Sequence, residues 1–271
     1  MYKLIVSSFL NTIINDYEEI PMSTVALIDE LRRSGIKFVI ATGKDIDSII
    51  YYNRDFPFMD YLITSNGAYI YDMNKNKVIF KKNIGIRTIK RIIKSYYDKS
   101  IIYLTNDSTR NLISKESIYK DNLEKLVDKD KFIEENKNNI YKIDLYFENK
   151  LTAEQSLKEI SLLELDINTN IQIYNDKYYI EITHSSASKD KALELIAKKL
   201  KIDTKDIISF GSGYSDIELL TKTYGVAMKN ACKKLKSVAN DITLDNNSRG
   251  VEIYLKKIHE KIIKNKKLTL N

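Results

Sequence analysis

Short apolar segments alternate with amphipathic ones from the start of the chain through residue 64. Residues 3–7 (KLIVS), 36–43 (IKFVIATG) and 61–64 (YLIT) are mainly apolar runs of the length expected for strands buried on both faces. Residues 23–35 carry apolar side chains three apart and end at a glycine, which predicts a helix with a glycine C-cap. Asp45 is predicted to cap a second helix. This order of strands and helices predicts right-handed crossovers and a parallel sheet.

The pattern changes between residues 84 and 182, where helical segments alternate with strands of period-two hydrophobicity. A helix is predicted at 115–127 and a hairpin at 171–182. The rhythm of a parallel sheet then resumes with a helix that Ser188 is predicted to cap. The sequence therefore predicts an α/β fold with a Rossmann-like, doubly wound parallel core, residues 1–83 and 183–271, and an inserted α+β domain, residues 84–182.

Composition and charge narrow the class of protein. The 271 residues are 43% hydrophobic, include 1 cysteine (Cys232), and contain no run of about 18 apolar residues that could span a membrane. We therefore expect a cytoplasmic protein with no membrane partner. The net charge of +7 owes much to a predicted C-terminal helix in which Leu255, Ile258 and Ile262 recur at helical spacing. We interpret its lysines as a solvated face and do not expect nucleic acid as a partner.

Polar residues follow four of the predicted parallel strands. In doubly wound sheets, ligands bind outside the carboxyl ends of the strands, so these segments are the candidate site. Their only carboxylate is Asp216, and they contain no histidine. The segments are SSFLNT (7–12), ATGK (41–44), ITSNG (63–67) and FGSGYSD (210–216), with Lys189 entering from the end of the inserted domain.

Six segments together make the chain similar to a known family. Their order and spacing resemble the haloacid dehalogenase-like (HAD) superfamily, specifically the Cof-type phosphatases of subclass IIB. The resemblance covers essentially the whole chain and implies a hydrolase fold in which residues 84–182 form an α/β cap domain. The segments are ATGK (41–44), SNGAYIYD (65–72), SKDKALELIAKKLKI (188–202), GSGYSDIELL (211–220), GVAMKNACKKLKSVANDIT (225–243) and NSRGVEIYL (247–255).

The resemblance also implies roles for individual positions. The family's first motif, DxDGT, supplies an aspartate nucleophile and an aspartate general acid/base; here these positions hold Ser8 and Leu10. The threonine of the second motif, which holds phosphate, corresponds to Thr42, followed by Gly43. The lysine of the third motif, which stabilises the phosphoryl group, corresponds to Lys189.

The metal-binding positions of the family are also changed. Its magnesium is held by acidic side chains at the positions of Ser8, Ser212 and Asp216, and its motif asparagine corresponds to Ser215. Only Asp216 keeps a carboxylate. Magnesium requires hard oxygen ligands, usually carboxylates, so we expect a weak or absent metal site and no cofactor.

These substitutions predict a pseudoenzyme. A serine nucleophile needs a base to take its proton, and Leu10 cannot transfer a proton at all. We therefore expect a phosphatase homologue without turnover that binds a phosphorylated small molecule or a protein partner. The nine tyrosines of the inserted domain offer a surface for such a partner. The alternative is an active Mg²⁺-dependent phosphatase acting on sugar or nucleotide phosphates, with Ser8 as an unconventional nucleophile.

Overall fold

The computed structural model describes residues 2–54, 57–107, 110–113, 127–174 and 177–269. The chain forms two compact units. The first unit comprises Met1–Ile79 and Lys189–Asn271, and the second unit comprises Phe80–Ser188. The domain boundaries expected from the sequence, at 83/84 and 182/183, and the role of the insert as a cap stay predictions.

The helices and strands of the described residues follow the order expected from the sequence, with two additions. The strands are β1 (Leu4–Ser8), β2 (Lys37–Ala41), β3 (Tyr61–Thr64), β4 (Tyr69–Asp72), β5 (Lys77–Lys81), β6 (Ile101–Thr105), β7 (Arg110–Ile113), β8 (Lys142–Phe147), β9 (Ile167–Tyr174), β10 (Lys177–His184), β11 (Ile207–Gly211), β12 (Tyr224–Ala227) and β13 (Asp241–Ile242). The helices are α1 (Met22–Arg33), α2 (Asp47–Arg54), α3 (Ile86–Tyr96), α4 (Lys129–Glu135), α5 (Lys150–Ser161), α6 (Lys189–Leu200), α7 (Ile217–Lys222), α8 (Lys233–Val238) and α9 (Gly250–Thr269).

The first unit is built on a sheet with the strand order β13-β12-β11-β1-β2-β3-β4-β5. The strands from β13 to β3 pair in parallel, and β4 returns antiparallel to β3. In the sheet, β2 and β3 lie on one side of β1, and β11 and β12 lie on the other side. Right-handed crossovers therefore place α1 and α7 on opposite faces of the sheet. The predicted doubly wound α/β core is confirmed, with an antiparallel hairpin at one edge.

Two helix ends test the local predictions. Gly35 has a φ of 92° and donates its N–H to the carbonyl of Arg32, so the predicted glycine C-cap of α1 is confirmed. Asp45 accepts hydrogen bonds from the N–H and hydroxyl of Ser48 at the start of α2, as expected of a cap. Ser188 does not cap α6, because its hydroxyl is buried and makes no hydrogen bond. That prediction was wrong.

Helix α9 packs against α1 with its apolar face and exposes Lys256, Lys257, Lys261 and Lys264. Leu255, Ile258 and Ile262 are buried, as the helical spacing predicted. The carboxylate of Glu252, also buried, accepts hydrogen bonds from the hydroxyls of Ser23 and Thr24 in the first turn of α1. None of the helices in the described part of the chain has the length and hydrophobicity that crossing a membrane requires.

The second unit is an antiparallel sheet with helices packed on it. The strand order is β7-β6-β8-β10-β9, and the predicted hairpin appears as β9 and β10. Strand β7 and helix α4 were not predicted, because each is short. The helix predicted at 115–127 falls almost entirely outside the described residues. Tyr96 and Tyr141 are only 1% and 0% exposed, so the expectation that they contribute to a partner surface is wrong.

Asp60 forms hydrogen bonds with three parts of the first unit, namely α1, β2 and the β4–β5 turn. Its carboxylate lies just before β3 and accepts hydrogen bonds from the side chains of Arg32 (3.0 Å) and Lys37 (3.0 Å), and from the N–H of Phe38 (2.9 Å). Asn74, in the β4–β5 turn, donates from 3.1 Å. Burial opposes ionisation, but these donors outweigh it and hold the pKa of Asp60 below its usual value.

We predict that Asp60→Asn lowers the free energy of unfolding by about 2 kcal/mol near neutral pH, because Arg32 and Lys37 lose their carboxylate. A carboxyl group with a depressed folded-state pKa stabilises the protein above its unfolded pKa of about 3.9 and loses that contribution as the pH falls. The difference between wild type and variant should therefore narrow below about pH 4. Urea denaturation across pH measures it.

The matched control is Asp29→Asn, which removes an exposed carboxylate that pairs with Arg33 on α1. It should cost about 0.5 kcal/mol or less. Equal costs for the two variants, or a difference that is the same at all pH values, would contradict the role of Asp60.

Candidate functional site

Strands β1, β2 and β11 end side by side at the carboxyl end of the parallel sheet, which is called the strand-end edge below. Ser8, the last residue of β1, is in register with Ala41 of β2, and Ser7 is in register with Phe210 of β11. This register places Ser8 between Thr42 and the turn that begins at Gly211. Residues far apart in sequence are thus brought together because the strands are parallel.

The segment after β1 forms an irregular turn. Asn11, at the position of the motif glycine, has a φ of 56°, a left-handed conformation that asparagine tolerates. The hydroxyl of Thr12 donates to the hydroxyl of Ser212 from 3.0 Å, and Ser212 donates to the carbonyl of Leu10 from 3.3 Å. Leu10 therefore contributes a backbone carbonyl to this network and no group that can transfer a proton.

Lys189, the first residue of α6, donates to three side chains at this edge. Its ammonium lies 2.7 Å from Oδ1 of Asp216, 3.0 Å from the hydroxyl of Ser215 and 3.4 Å from the hydroxyl of Ser8. The side chains of Lys189 and Asp216 are 5% and 2% exposed, so the pair is a buried salt bridge. The charges of the lysine and the aspartate cancel each other at the centre of the site.

The second carboxylate oxygen of Asp216 is also engaged. It accepts hydrogen bonds from the N–H groups of Ser212 and Gly213, both at 3.0 Å. Gly211 permits this arrangement, because a Cβ at that position would lie 2.6 Å from the Cβ of Asp216. Both oxygens of Asp216 are therefore held by donors of the chain itself.

The end of β2 is fixed by backbone hydrogen bonds to the segment after β3. The hydroxyl of Thr42 accepts from the N–H of Lys44 at 3.1 Å, and its carbonyl accepts from the N–H of Asn66 at 3.0 Å. Lys44 in turn accepts from the N–H of Ser65 through its carbonyl. Thr42 and Gly43 thus lie at the predicted edge, beside the end of β1.

Comparison with known proteins identifies the family. A family model described as haloacid dehalogenase-like hydrolase matches residues 9–255. The chain belongs to this family. A curated relative, "Putative phosphatase YxeH" of Bacillus subtilis, is 25% identical over 93% of this chain and 96% of its own. The Cof-type HAD resemblance expected from the six segments is confirmed.

Solved structures of the HAD fold superpose closely. A haloacid dehalogenase-like hydrolase from B. subtilis gives a TM-score of 0.80 at 20% identity, covering 94% of this chain and 99% of the other. The HAD subclass IIB sugar phosphatase BT4131 gives 0.76 at 21% identity, covering 95% and 99%. At these identities the likeness establishes the fold.

The residues at this HAD site do not fit a magnesium ion. Magnesium prefers several hard oxygen ligands in octahedral geometry, at least one or two of them carboxylates. Asp216 is the only carboxylate in the four strand-end segments, 7–12, 41–44, 63–67 and 210–216. Both of its oxygens accept hydrogen bonds from the protein. Across the described ranges, no three His, Cys, Asp or Glu side chains cluster in a way that could hold a metal.

The structure brings together most residues named from the sequence. Hydrogen bonds connect Ser8, Ser215 and Asp216 through Lys189, and Ser212 joins them through its N–H bond to Asp216. Sequence reasoning missed the salt bridge itself. The available signal was that a single carboxylate, Asp216, remained beside Lys44 and Lys189 among segments ending at the same end of the sheet. The catalytic, phosphate-binding and metal roles of these positions stay predictions.

We predict that Lys189→Met lowers the free energy of unfolding by about 3 kcal/mol, because it leaves the buried carboxylate of Asp216 without its cation. Lys189→Met/Asp216→Leu should recover most of this loss, since no unpaired charge then remains buried. Equilibrium denaturation of the two variants and the wild type measures both effects.

Lys3→Met is the matched control, because Lys3 forms an exposed salt bridge with Asp206 at a similar distance, 2.8 Å. It should cost much less than Lys189→Met, because water already solvates the exposed pair. A Lys189→Met variant no less stable than Lys3→Met would show that the pair carries no buried charge.

Proposed function

We propose that this HAD protein is a pseudophosphatase that binds a phosphorylated small molecule at the strand ends without hydrolysing it. The observation that carries the proposal is the combination of Ser8 and Leu10 after β1 with the closed Lys189–Asp216 salt bridge. Phosphoryl transfer to a carboxylate requires a nucleophile, a proton donor and a metal. In the proposal, Ser8 replaces the nucleophile, Leu10 replaces the proton donor, and the salt bridge takes up the carboxylate that would bind the metal.

Within the described residues, the hydroxyl of Ser8 makes no hydrogen bond to a base, which supports the proposal. The hydroxyl of Ser8 accepts a hydrogen bond from Lys189, 3.4 Å away. An ammonium group that donates to Asp216 and Ser8 has no lone pair with which to take the serine proton. A phosphoserine, if it formed, would be a stable ester, whereas an acyl phosphate is cleared by water.

The loss of the acid/base carboxylate adds a second barrier. General acid–base catalysis typically contributes about 10²–10⁴-fold to a rate, and the side chain of Leu10 supplies none of it. Relatives that carry the name phosphatase favour the alternative, a Mg²⁺-dependent phosphatase acting on sugar or nucleotide phosphates. Under that alternative, Ser8 is the nucleophile and the metal is held with few protein ligands.

Anion binding at this edge is compatible with the side chains present. The family's phosphate-holding positions correspond here to Thr42, Gly43 and Lys189. The ammonium of Lys189 can donate a hydrogen bond to a phosphate oxygen. Because Asp216 neutralises the lysine, we expect weak affinity. A protein partner remains the second candidate ligand. The single cysteine, the partly buried Cys232, supports the expectation of a cytoplasmic location.

We predict that, in the presence of Mg²⁺, the wild-type protein hydrolyses p-nitrophenyl phosphate no faster than the Ser8→Ala variant does. As a positive control, Ser8→Asp/Leu10→Asp/Ser212→Asp returns carboxylates to three motif positions and should gain Mg²⁺ affinity and measurable hydrolysis. Isothermal titration and a chromogenic assay report the two gains. Wild-type turnover that Ser8→Ala abolishes would overturn the proposal and establish the active alternative.

We predict that orthophosphate at about ten times its dissociation constant raises the thermal midpoint by about 3 °C, relative to sodium chloride of equal ionic strength. Thr42→Val should lose this increase, because it removes a hydroxyl at the phosphate-holding position. Thr221→Val, which changes an exposed threonine of α7, should keep it. An equal increase in all three proteins would place the anion elsewhere.

A further inference from the structure

A cavity of the first unit lies at the amino ends of the parallel strands, opposite to the end that carries Ser8. It has a volume of about 390 Å³ and opens between α9 and the amino ends of the parallel strands. Tyr2 precedes β1, and Tyr224 and Asp241 are the first residues of β12 and β13. A five-residue strand spans about 16 Å, so this cavity is separate from the strand ends that carry Ser8.

Aromatic side chains form much of the cavity wall. The rings of Tyr2 and Tyr224 are 5.7 Å apart at an interplanar angle of 51°, and Tyr254 of α9 completes the group. The hydroxyl of Tyr254 donates to Asp241 from 2.9 Å. Burial, with the nearby Tyr224 and Asp241, raises the pKa of Tyr2 to about 12, so its hydroxyl stays neutral and can donate a hydrogen bond.

The rest of the lining is apolar and positively charged. The buried side chains of Ile258 and Ile262 contribute from α9. Lys257 and Lys261 lie one helical turn apart beside them, and the ammonium of Lys257 is 5.7 Å from the centre of the Tyr254 ring. Two ammonium groups therefore accompany a single carboxylate, that of Asp241, which already accepts a hydrogen bond.

This combination differs from ordinary core packing in two ways. Solvated lysines on a surface helix do not require a concave aromatic wall, and partly buried tyrosines do not require two cations beside them. The volume lies within the range of small-molecule sites, about 300–1,000 Å³, and the lining combines an apolar wall with a few polar groups, as ligand pockets do.

We propose that this cavity binds a small planar aromatic anion, namely an aromatic ring that carries a phosphate or carboxylate group. The ring packs against Ile258 and Ile262 between the tyrosine rings. The anionic group pairs with Lys257 and Lys261, and the tyrosine hydroxyls donate to its remaining oxygens. The proposal does not depend on the function of the strand ends.

The test uses the full chain labelled with 3-fluorotyrosine and observed by ¹⁹F NMR. Tyr2→Phe, Tyr224→Phe and Tyr254→Phe assign the three resonances of the cavity. Phenyl phosphate and benzoate are the probes, and orthophosphate and phenol supply the anion and the ring separately. We expect saturable shifts of these resonances with one or both probes, and no comparable shifts with orthophosphate or phenol at the same concentration.

Charge-removing variants locate the anionic group. Lys257→Met/Lys261→Met should weaken binding by about fivefold or more, since two ion pairs are lost. The matched control, Lys198→Met/Lys199→Met, removes two exposed lysines of α6 and should leave affinity unchanged. Thr42→Val should also leave it unchanged, which separates this cavity from the strand-end site.

Three results would overturn the proposal: no shift of the three resonances with either probe, equal shifts with orthophosphate, or equal affinity in the Lys257→Met/Lys261→Met variant. A response to phenyl phosphate alone assigns a phosphate ligand, and a response to benzoate alone assigns a carboxylate. If the double variant failed to fold, Lys261→Met alone should still weaken binding measurably, and an unchanged affinity would count against the proposal.

Discussion

The buried salt bridge between Lys189 and Asp216 is the interaction around which the strand-end site is organised. It joins the start of α6 to the turn after β11, and Asp216 in turn fixes the backbone of Ser212 and Gly213. Both charges are removed from water, so each is tolerated only because the other is present. The hydroxyls of Ser8 and Ser215 accept hydrogen bonds from the same ammonium group.

Much of the fold was predictable because its strands are short, apolar and separated by helices of clear periodicity. The parallel strands, the C-cap at Gly35 and the buried face of α9 follow from local patterns alone. Helix α4 and strand β7 were missed because they are short and carry few apolar residues in a recognisable period. The capping role assigned to Ser188 failed because a serine before a helix is only a tendency; here its hydroxyl is buried and makes no hydrogen bond.

The sequence predicted which residues lie near one another in the candidate site, but it did not predict which side chains pair with each other. Parallel strands bring their carboxyl ends to one edge, so the proximity of Ser8, Thr42 and Asp216 follows from topology. The pairing of Lys189 with Asp216 depends on side-chain geometry, which periodicity does not encode. The cavity at the amino ends was missed for a related reason, since its tyrosines come from positions 2, 224 and 254, which are far apart in the sequence.

The charge balance of the strand ends differs from the one that the family's motifs imply. Under the proposed motif assignment, an active relative places carboxylates at the positions of Ser8, Leu10, Ser212 and Asp216 beside one lysine. Those carboxylates repel one another unless a dication neutralises them. At these positions this chain has the buried pair Lys189 and Asp216, whose charges sum to zero. Under the proposed function, an anion that binds here must compete with this internal salt bridge, which favours weak, reversible binding over catalysis.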